Sequence, residues 1–194
     1  KKWKLYAKGG PYNKWYGNFW TVLDYSPSGY AYLLNHGNYL PSRTFYFNEG
    51  ITYSASGSKG VSFRFMPANQ LFDVGGSSVF SNKNAYMILG NFACKIIKYL
   101  GKTFIDHSVN FQVDENKELP MISTDSPEII NLVKQIVKKQ KQEPRYDYLS
   151  NEQKEIDRIV YALYGLNAED IKEVETWYAR RYPRLANNKP IKEA

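Results

Sequence analysis

Residues 61–65 alternate between apolar and polar side chains with a period of two, which is the pattern of a half-buried β-strand. The three apolar residues would face a core, while Ser62 and Arg64 would face outward. A loop of small, hydroxyl-bearing residues precedes this strand at 54–60, so a hairpin-like element that displays polar groups is predicted, although ordinary hairpins carry similar loops. Further short strands are predicted at 19–23, 30–34, 44–47, 70–74 and 108–113.

Four helices are predicted from apolar residues at helical spacing. The first spans 82–100, with Ser81 as its N-cap and Gly101 as the left-handed residue that ends it. The other three follow N-terminal signals at Ser126, 150–153 and Asn167.

The order of these elements predicts an α+β fold, because most strands precede most helices. A β-rich region with one packed helix would occupy residues 1–125, and a helical segment would follow at 126–194.

Composition and charge favour a polyanionic partner. The chain has 194 residues, enough for a substantial core, and 16% of them are aromatic. The net charge is +7, and residues 1–80 contain eight basic residues against three acidic ones. Lysine and arginine supply phosphate contacts, and here they coincide with glycines and aromatic residues. In residues 1–18, an aromatic minicore with solvated lysines explains the pattern equally well.

Residues that commonly carry catalysis are scarce, because the chain has one cysteine and two histidines. Cys94 lies in an apolar helical run and is predicted to be a buried, unreactive thiol, which fits a reducing, cytoplasmic compartment. Neither a run of eighteen apolar residues nor a signal peptide is apparent. Because residue 1 is not Met and lies directly in patterned sequence, we expect a fragment of a longer polypeptide.

Three short segments have two interpretations each. Gly75 and Gly76 fit a tight turn better than a phosphate cradle, because the surrounding residues match no nucleotide-binding fingerprint. Residues 138–142 fit a solvated helix end better than a second phosphate-contact patch. Asp106 and His107 fit a local hydrogen-bonding pair better than a catalytic dyad, since no nucleophile accompanies them.

Several motifs, taken in order, resemble the target-recognition region of PglX-type adenine-specific DNA methyltransferases of BREX phage defence and of related type IIG restriction-modification enzymes. They cover nearly the whole chain. The motifs are YAKGG (6–10), KWYGN (14–18), GITYS (50–54), FR (63–64), FDVGGSSVF (72–80), NFQVD (110–114), LP (119–120) and DRIVYALYGL (157–166).

The resemblance implies that the complete enzyme transfers a methyl group from S-adenosylmethionine to adenine N6 in a catalytic domain upstream. That domain's Asn-Pro-Pro-Tyr motif is absent here. Residues 1–125 would then be the DNA target-recognition domain and 126–194 a C-terminal helical extension. The chain itself would be non-catalytic and hold no cofactor, and its partners would be double-stranded DNA and the upstream methyltransferase domain of the same polypeptide.

The DNA-contacting residues are predicted from their chemistry and position. Lys8, Lys14 and Arg43 would hold phosphates, and Tyr16 would lie beside them. Base edges in the major groove would be approached by hydroxyl-bearing and basic side chains. These are Thr52, Tyr53, Ser54, Ser56, Ser58, Lys59, Ser62 and Arg64.

Two other classes of function fit parts of the pattern. A protein-interaction module would use the aromatic surface and the helical hairpin, with the basic charge serving solubility. A nuclease would need metal-dependent cleavage, and no acidic pair here has the spacing of a nuclease motif.

Overall fold

The computed structural model describes residues 2–38, 40–54, 60–108 and 113–186. It confirms the α+β class. The strands are β1 (Trp3–Ala7), β2 (Val22–Asp24), β3 (Gly50–Tyr53), β4 (Phe63–Met66), β5 (Gln70–Phe72) and β6 (Ser78–Val79). The α-helices are α1 (Pro27–Asn35), α2 (Ala85–Phe92), α3 (Lys95–Leu100), α4 (Val113–Lys117), α5 (Pro127–Gln142), α6 (Glu152–Leu163), α7 (Ala168–Arg181) and α8 (Pro183–Ala186).

The described strands form two small sheets. In the first, β1 lies in the middle, antiparallel to β2 and parallel to β5. In the second, β3 lies in the middle and is antiparallel to both β4 and β6. The segment around Trp15 adds to the open edge of β4, because the Trp15 amide donates to the Phe63 carbonyl at 2.9 Å and the Phe65 amide to the Trp15 carbonyl at 2.8 Å.

The larger core lies between the second sheet and the helices. Phe63 and Phe65 pack against Phe92 and Tyr86, which confirms that the apolar residues of β4 face a core. Helices α5, α6 and α7 contribute buried side chains to the same core. The division at residue 125 stays a prediction, since packing runs across it. A smaller core joins β1 and β5 to the aromatic residues near Tyr46.

Two of the predicted strands are wrong. Residues 30–34 belong to α1, and Arg43–Phe45 form a short 3₁₀ helix in place of a strand at 44–47. The side chain of Ser26 accepts a hydrogen bond from the Gly29 amide at 3.2 Å, and Pro27 occupies the first helical turn. Ser26 and Pro27 therefore start a helix, as these residue types commonly do, where the sequence suggested a turn.

The predicted helix at 82–100 is two helices. Asn84, and not Ser81, is the N-cap of α2. This helix ends at its C-cap, Ala93, and α3 begins at Lys95. The Asp157 carboxylate on α6 accepts a hydrogen bond from the Lys95 amide at 2.9 Å and so caps α3 from another element. Gly101 has φ −58°, so the predicted left-handed ending is also wrong and the chain continues into a π-helical turn, Gly101–Ile105.

The later helices agree better with their N-terminal signals. The Ser126 side chain accepts from the Ile129 amide at the start of α5, and Asn167 forms a capping box with Asp170 at the start of α7. Asn151 precedes α6 but makes no capping bond. Of the strand predicted at 108–113, residues 109–112 lie outside the described residues, and Val113 begins α4. Among the described helices, none combines the length and apolar character that crossing a lipid bilayer requires.

Candidate nucleic-acid interface

Arg64 lies inside the protein, with its side chain 1% exposed. Its Nη1 donates to Ser54 Oγ at 3.2 Å, to the carbonyl and hydroxyl of Ser62 at 3.1 Å each, and to the Asn13 carbonyl at 3.3 Å. Burial lowers the pKa of Arg64 to about 10. The prediction that Ser62 and Arg64 face outward is wrong, because both are buried and the segment before Trp15 lies against Arg64 through the Asn13 carbonyl.

The other predicted base-reading residues in β3 and directly after it are also buried. Thr52 Oγ1 donates to the carbonyls of Gly76 and Ser77 at 3.0 and 3.1 Å, and Ser54 Oγ donates to the Gly10 carbonyl at 3.1 Å. The Tyr53 side chain has no exposed surface. In this structure these groups bond the protein itself, so they cannot approach base edges directly. Ser56, Ser58 and Lys59 lie outside the described residues.

Lys14 is buried as well, with 3% of its surface exposed. Its Nζ donates a hydrogen bond to Gln153 Oε1 and lies 4.8 Å from the centre of the Trp15 ring. Burial lowers the pKa of Lys14 to about 8, while the Asp157 carboxyl opposes this shift. Lys14 thus joins the turn after β1 to α6, and it is out of reach of a DNA phosphate in this structure.

Lys8 is exposed on the turn after β1, and the backbone of this turn packs against Gly75. Gly9 has φ +79°, and a Cβ there would meet the Gly75 carbonyl oxygen at 2.3 Å, so the two backbone segments approach closely at this glycine. Asp73 accepts from Lys8 Nζ at 2.6 Å and from the Tyr6 hydroxyl at 2.7 Å. Although burial opposes it, these bonds hold the pKa of the Asp73 carboxyl below its usual value.

Arg43 is exposed in the 3₁₀ helix, and its Nη1 donates a hydrogen bond to the Tyr30 hydroxyl on α1. The guanidinium carbon lies 6.0 Å from the centre of the Tyr30 ring. In the part of the chain that the structure describes, no carboxylate pairs with Arg43. Arg43 is therefore held in place while its charge stays available.

Tyr16 lies beside the basic side of α5. Its half-buried ring is 5.1 Å from Lys141 Nζ and contacts Phe19 edge to face, and burial raises the pKa of its hydroxyl. Lys134, two helical turns before Lys141, has its Nζ 5.4 Å from the centre of the Tyr86 ring. This contact between residue 16 and residue 141 was not foreseen from the sequence.

Three of the exposed lysines of α5 form one face, because positions 134, 138 and 141 are spaced i, i+4 and i+7. The opposite side of α5 packs into the core. Lys139 points elsewhere and pairs with Glu152 at 2.8 Å. We call Lys134, Lys138 and Lys141 with Tyr16 the α5 basic face. The run at 138–142 had indicated this surface only as the less favoured of two interpretations, because its partner Tyr16 lies far away in sequence.

The described residues contain no cluster of His, Cys, Asp and Glu that could hold a metal ion. Cys94 is buried, as predicted, and burial raises the pKa of its thiol to about 12. Asp106 accepts hydrogen bonds from the amide and hydroxyl of Ser108 at 2.8 and 2.9 Å.

No family model matches the chain. It is similar to the adenine-specific methyltransferase BrxX of Escherichia coli O9:H4 (strain HS), at 36% identity over 124 residues that cover 62% of this chain and 10% of that protein. It is also similar to the adenine-specific methyltransferase PglX of Lacticaseibacillus casei (strain Zhang), at 30% identity over 152 residues, or 71% of this chain and 12% of that protein.

The chain therefore spans about a tenth of the length of the curated relatives it matches. These similarities confirm a relationship to BREX-type adenine-specific methyltransferases. The assignment to a target-recognition region stays a prediction.

Proposed function

We propose that this chain is the non-catalytic DNA-recognition part of a BREX-type adenine-specific methyltransferase and that it contacts double-stranded DNA through the α5 basic face. The observation that carries the proposal is the alignment of three exposed lysines beside Tyr16 on one side of α5. The relationship to adenine-specific methyltransferases supplies the class of nucleic acid.

The spacing on α5 suits a phosphodiester backbone. Seven residues of α-helix rise about 10.5 Å, and phosphates follow one another at about 3.4 Å along the duplex axis per strand. Lysines at positions 134, 138 and 141 can therefore span about three phosphates. Lys8 and Arg43 remain exposed and are proposed as further phosphate contacts. The methyl transfer and the S-adenosylmethionine site belong, in this proposal, to another part of the parent polypeptide.

The buried residues have a supporting role in this proposal. Arg64 and Ser54 fix the turn after β1 by donating to the carbonyls of Asn13 and Gly10, and Lys14 fixes the same turn against α6. Tyr16 follows directly in that segment, so its position beside α5 depends on these bonds.

The test is a titration of the chain against a labelled DNA duplex by fluorescence anisotropy at several salt concentrations. Each lost phosphate contact lowers the slope of log K against log salt by about 0.9. For the triple variant Lys134→Gln, Lys138→Gln, Lys141→Gln, the magnitude of the slope is expected to be smaller by about 2.7 than for the unmodified chain. A matched triple variant with the same charge change elsewhere, Lys117→Gln, Lys154→Gln, Lys172→Gln, is expected to keep it.

Equal slopes for the two triple variants would show that charge alone matters and that the α5 basic face is not the contact. If the unmodified chain shows no salt-dependent binding to duplex DNA, the proposed function itself is wrong.

A protein-interaction role is favoured by a different surface. Trp3, Trp20 and Val22 are at least half exposed on or beside the first sheet, with Trp20 at 63%. Exposed aromatic side chains of this kind are enriched in protein interfaces. The partner that we propose for this surface is another part of the same methyltransferase, because this chain accounts for only about a tenth of its relatives' length.

This role is tested by mixing the chain with the rest of its parent polypeptide in size-exclusion chromatography. The double variant Trp3→Ser, Trp20→Ser should weaken co-elution, whereas Tyr32→Ser, an exposed aromatic residue on α1, should not. If both variants co-elute as the unmodified chain does, the surface has another purpose.

A further inference from the structure

An open cleft of about 480 Å³ lies between the π-helical turn, Gly101–Ile105, and the C-terminal end of α7. It shares no residue with the α5 basic face. Its walls combine cationic side chains, an indole and an imidazole. The lining residues are Lys102, Thr103, His107, Trp177, Arg180 and Arg181.

The sequence of α7 brings three of these side chains together. Trp177, Arg180 and Arg181 are spaced i, i+3 and i+4, which places them on one side of a helix. The Trp177 ring is fixed by edge-to-face contacts with Tyr99 and Tyr182, at centroid distances of 5.5 and 5.9 Å. The indole is thus a rigid wall of the cleft.

The charge in the cleft is only partly balanced. Lys102 Nζ lies 4.0 Å from an Asp106 carboxylate oxygen and donates to the Ser108 carbonyl. Burial lowers the pKa of Lys102, Asp106 opposes this shift, and Arg181 adds to it. Arg180 and Arg181 are exposed, and no carboxylate of the described residues forms an ion pair with either.

Arg180 and Arg181 lie in the last turn of α7, where positive charge stabilises the helix dipole, and this explains why arginines occur there. It does not explain why Lys102 and His107, from a different segment, meet them across a cleft. Several cations that converge on a concave, water-filled surface are the arrangement that binds phosphate groups.

We infer that this cleft binds phosphate groups of the DNA backbone as a second contact, separate from the α5 basic face; the inference rests on the proposed function. The open, cation-rimmed shape favours a backbone phosphate over a free nucleotide, because small-molecule sites bury most of their ligand in largely apolar pockets. Arginine also offers two parallel donors to a phosphate, which fixes the register of a strand on the protein.

The test compares charge-removing and charge-keeping variants in the duplex titration. Arg180→Gln, Arg181→Gln should lower the salt slope by about 1.8, in proportion to two lost phosphate contacts. Arg180→Lys, Arg181→Lys should keep the slope. Lys154→Gln, Lys172→Gln is the control, because it removes the same charge, partly from α7 itself, outside the cleft. Thermal unfolding of each variant verifies that it is folded.

A second readout locates the contact. Duplex DNA is expected to change the tryptophan fluorescence of the chain, and the change should shrink in Trp177→Phe. A parallel titration with dAMP tests the free-nucleotide alternative. A response to dAMP that requires Arg180 and Arg181, together with an unchanged duplex slope in the double glutamine variant, would overturn the inference.

The two proposals fail separately. If the unmodified chain binds duplex DNA steeply with salt, and the double glutamine variant binds with the same slope, the cleft inference alone is wrong. If the unmodified chain does not bind duplex DNA, the proposed function fails and the cleft inference fails with it.

Discussion

Lys14 Nζ donates a hydrogen bond to Gln153 Oε1, which joins the turn after β1 to the first turn of α6 across 139 positions of the chain. Gln153 in turn donates to Asp157 Oδ2 at 3.1 Å, and all three side chains are buried. Asp157 also caps α3 through the Lys95 amide. The C-terminal helices therefore hold in place the turn that leads to Tyr16.

Replacement of Lys14 by Met should change how stability depends on pH. The folded-state pKa of Lys14 is about 8, below the usual value, so between pH 8 and about 10.5 the unfolded chain binds more protons than the folded one. The stability of the unmodified chain should consequently rise with pH in this window relative to Lys14→Met, by about 2 kcal/mol between pH 8 and 9.5. Below pH 8 the difference should be constant.

Urea unfolding at pH 7, 8 and 9.5 measures this difference. Lys154→Met is the control, because Lys154 is exposed, and its difference from the unmodified chain should not vary with pH. A pH-independent difference for Lys14→Met would mean that Lys14 is not buried in a way that disfavours its charge.

Gly9→Ala should destabilise the fold more than Gly37→Ala. Both glycines have positive φ, +79° and +73°, so both substitutions carry the backbone strain of about 1 to 2 kcal/mol. A Cβ at Gly9 also meets the Gly75 carbonyl oxygen at 2.3 Å, whereas a Cβ at Gly37 meets nothing within 4 Å. Gly9→Ala is expected to cost about 2 kcal/mol more, since overpacking adds to strain. Chemical denaturation measures the free energy of unfolding of both variants. Equal losses would disprove the close approach of Gly9 to the Gly75 carbonyl.

Arg64→Lys should lower stability by about 2 kcal/mol or more and leave the discrimination between base sequences unchanged. The shorter lysine side chain places its ammonium away from the position of Arg64 Nη1, whose N–H groups are shared among Ser54, Ser62 and Asn13, and the charge stays buried. Arg43→Lys, at an exposed position, should change stability by less than about 0.5 kcal/mol. Loss of base discrimination in Arg64→Lys without loss of stability would restore the original prediction that Arg64 reads bases.

Asn167→Ala should cost about 1 kcal/mol, because its side chain accepts hydrogen bonds from the amides of Glu169 and Asp170 at the start of α7. Asn151→Ala changes the same residue type at the N-cap of α6, where no side-chain capping bond exists. It should cost well under 0.5 kcal/mol. Thermal unfolding of the two variants compares them directly, and equal shifts of Tm would contradict the difference in capping.

The failed strand predictions show where local patterns are ambiguous. The segment at 30–34 is apolar and short, and its length and composition fit a strand or a helix equally. The cap at Ser26 decided the outcome. The helix at 82–100 was correctly recognised as apolar, but its break depends on Asp157, which no local pattern connects to Lys95.

Among the candidate site residues, Lys8 and Arg43 are exposed, as the predicted phosphate contacts would require, and their role stays a prediction. The sequence could not distinguish them from Lys14 and Arg64, which are equally basic and lie in equally polar surroundings in the sequence. Burial of those two depends on which segments cover them.

The sequence by itself determined the α+β class, most helix starts in the second half and the relationship to adenine-specific methyltransferases. These features rest on local capping and the order of motifs, which are written in consecutive residues. Only the tertiary structure decided that Arg64 and Lys14 are internal and that Tyr16 meets Lys141. Those outcomes depend on contacts between residues about fifty or more positions apart, and hydrophobic periodicity carries no information on which distant segment covers a polar side chain.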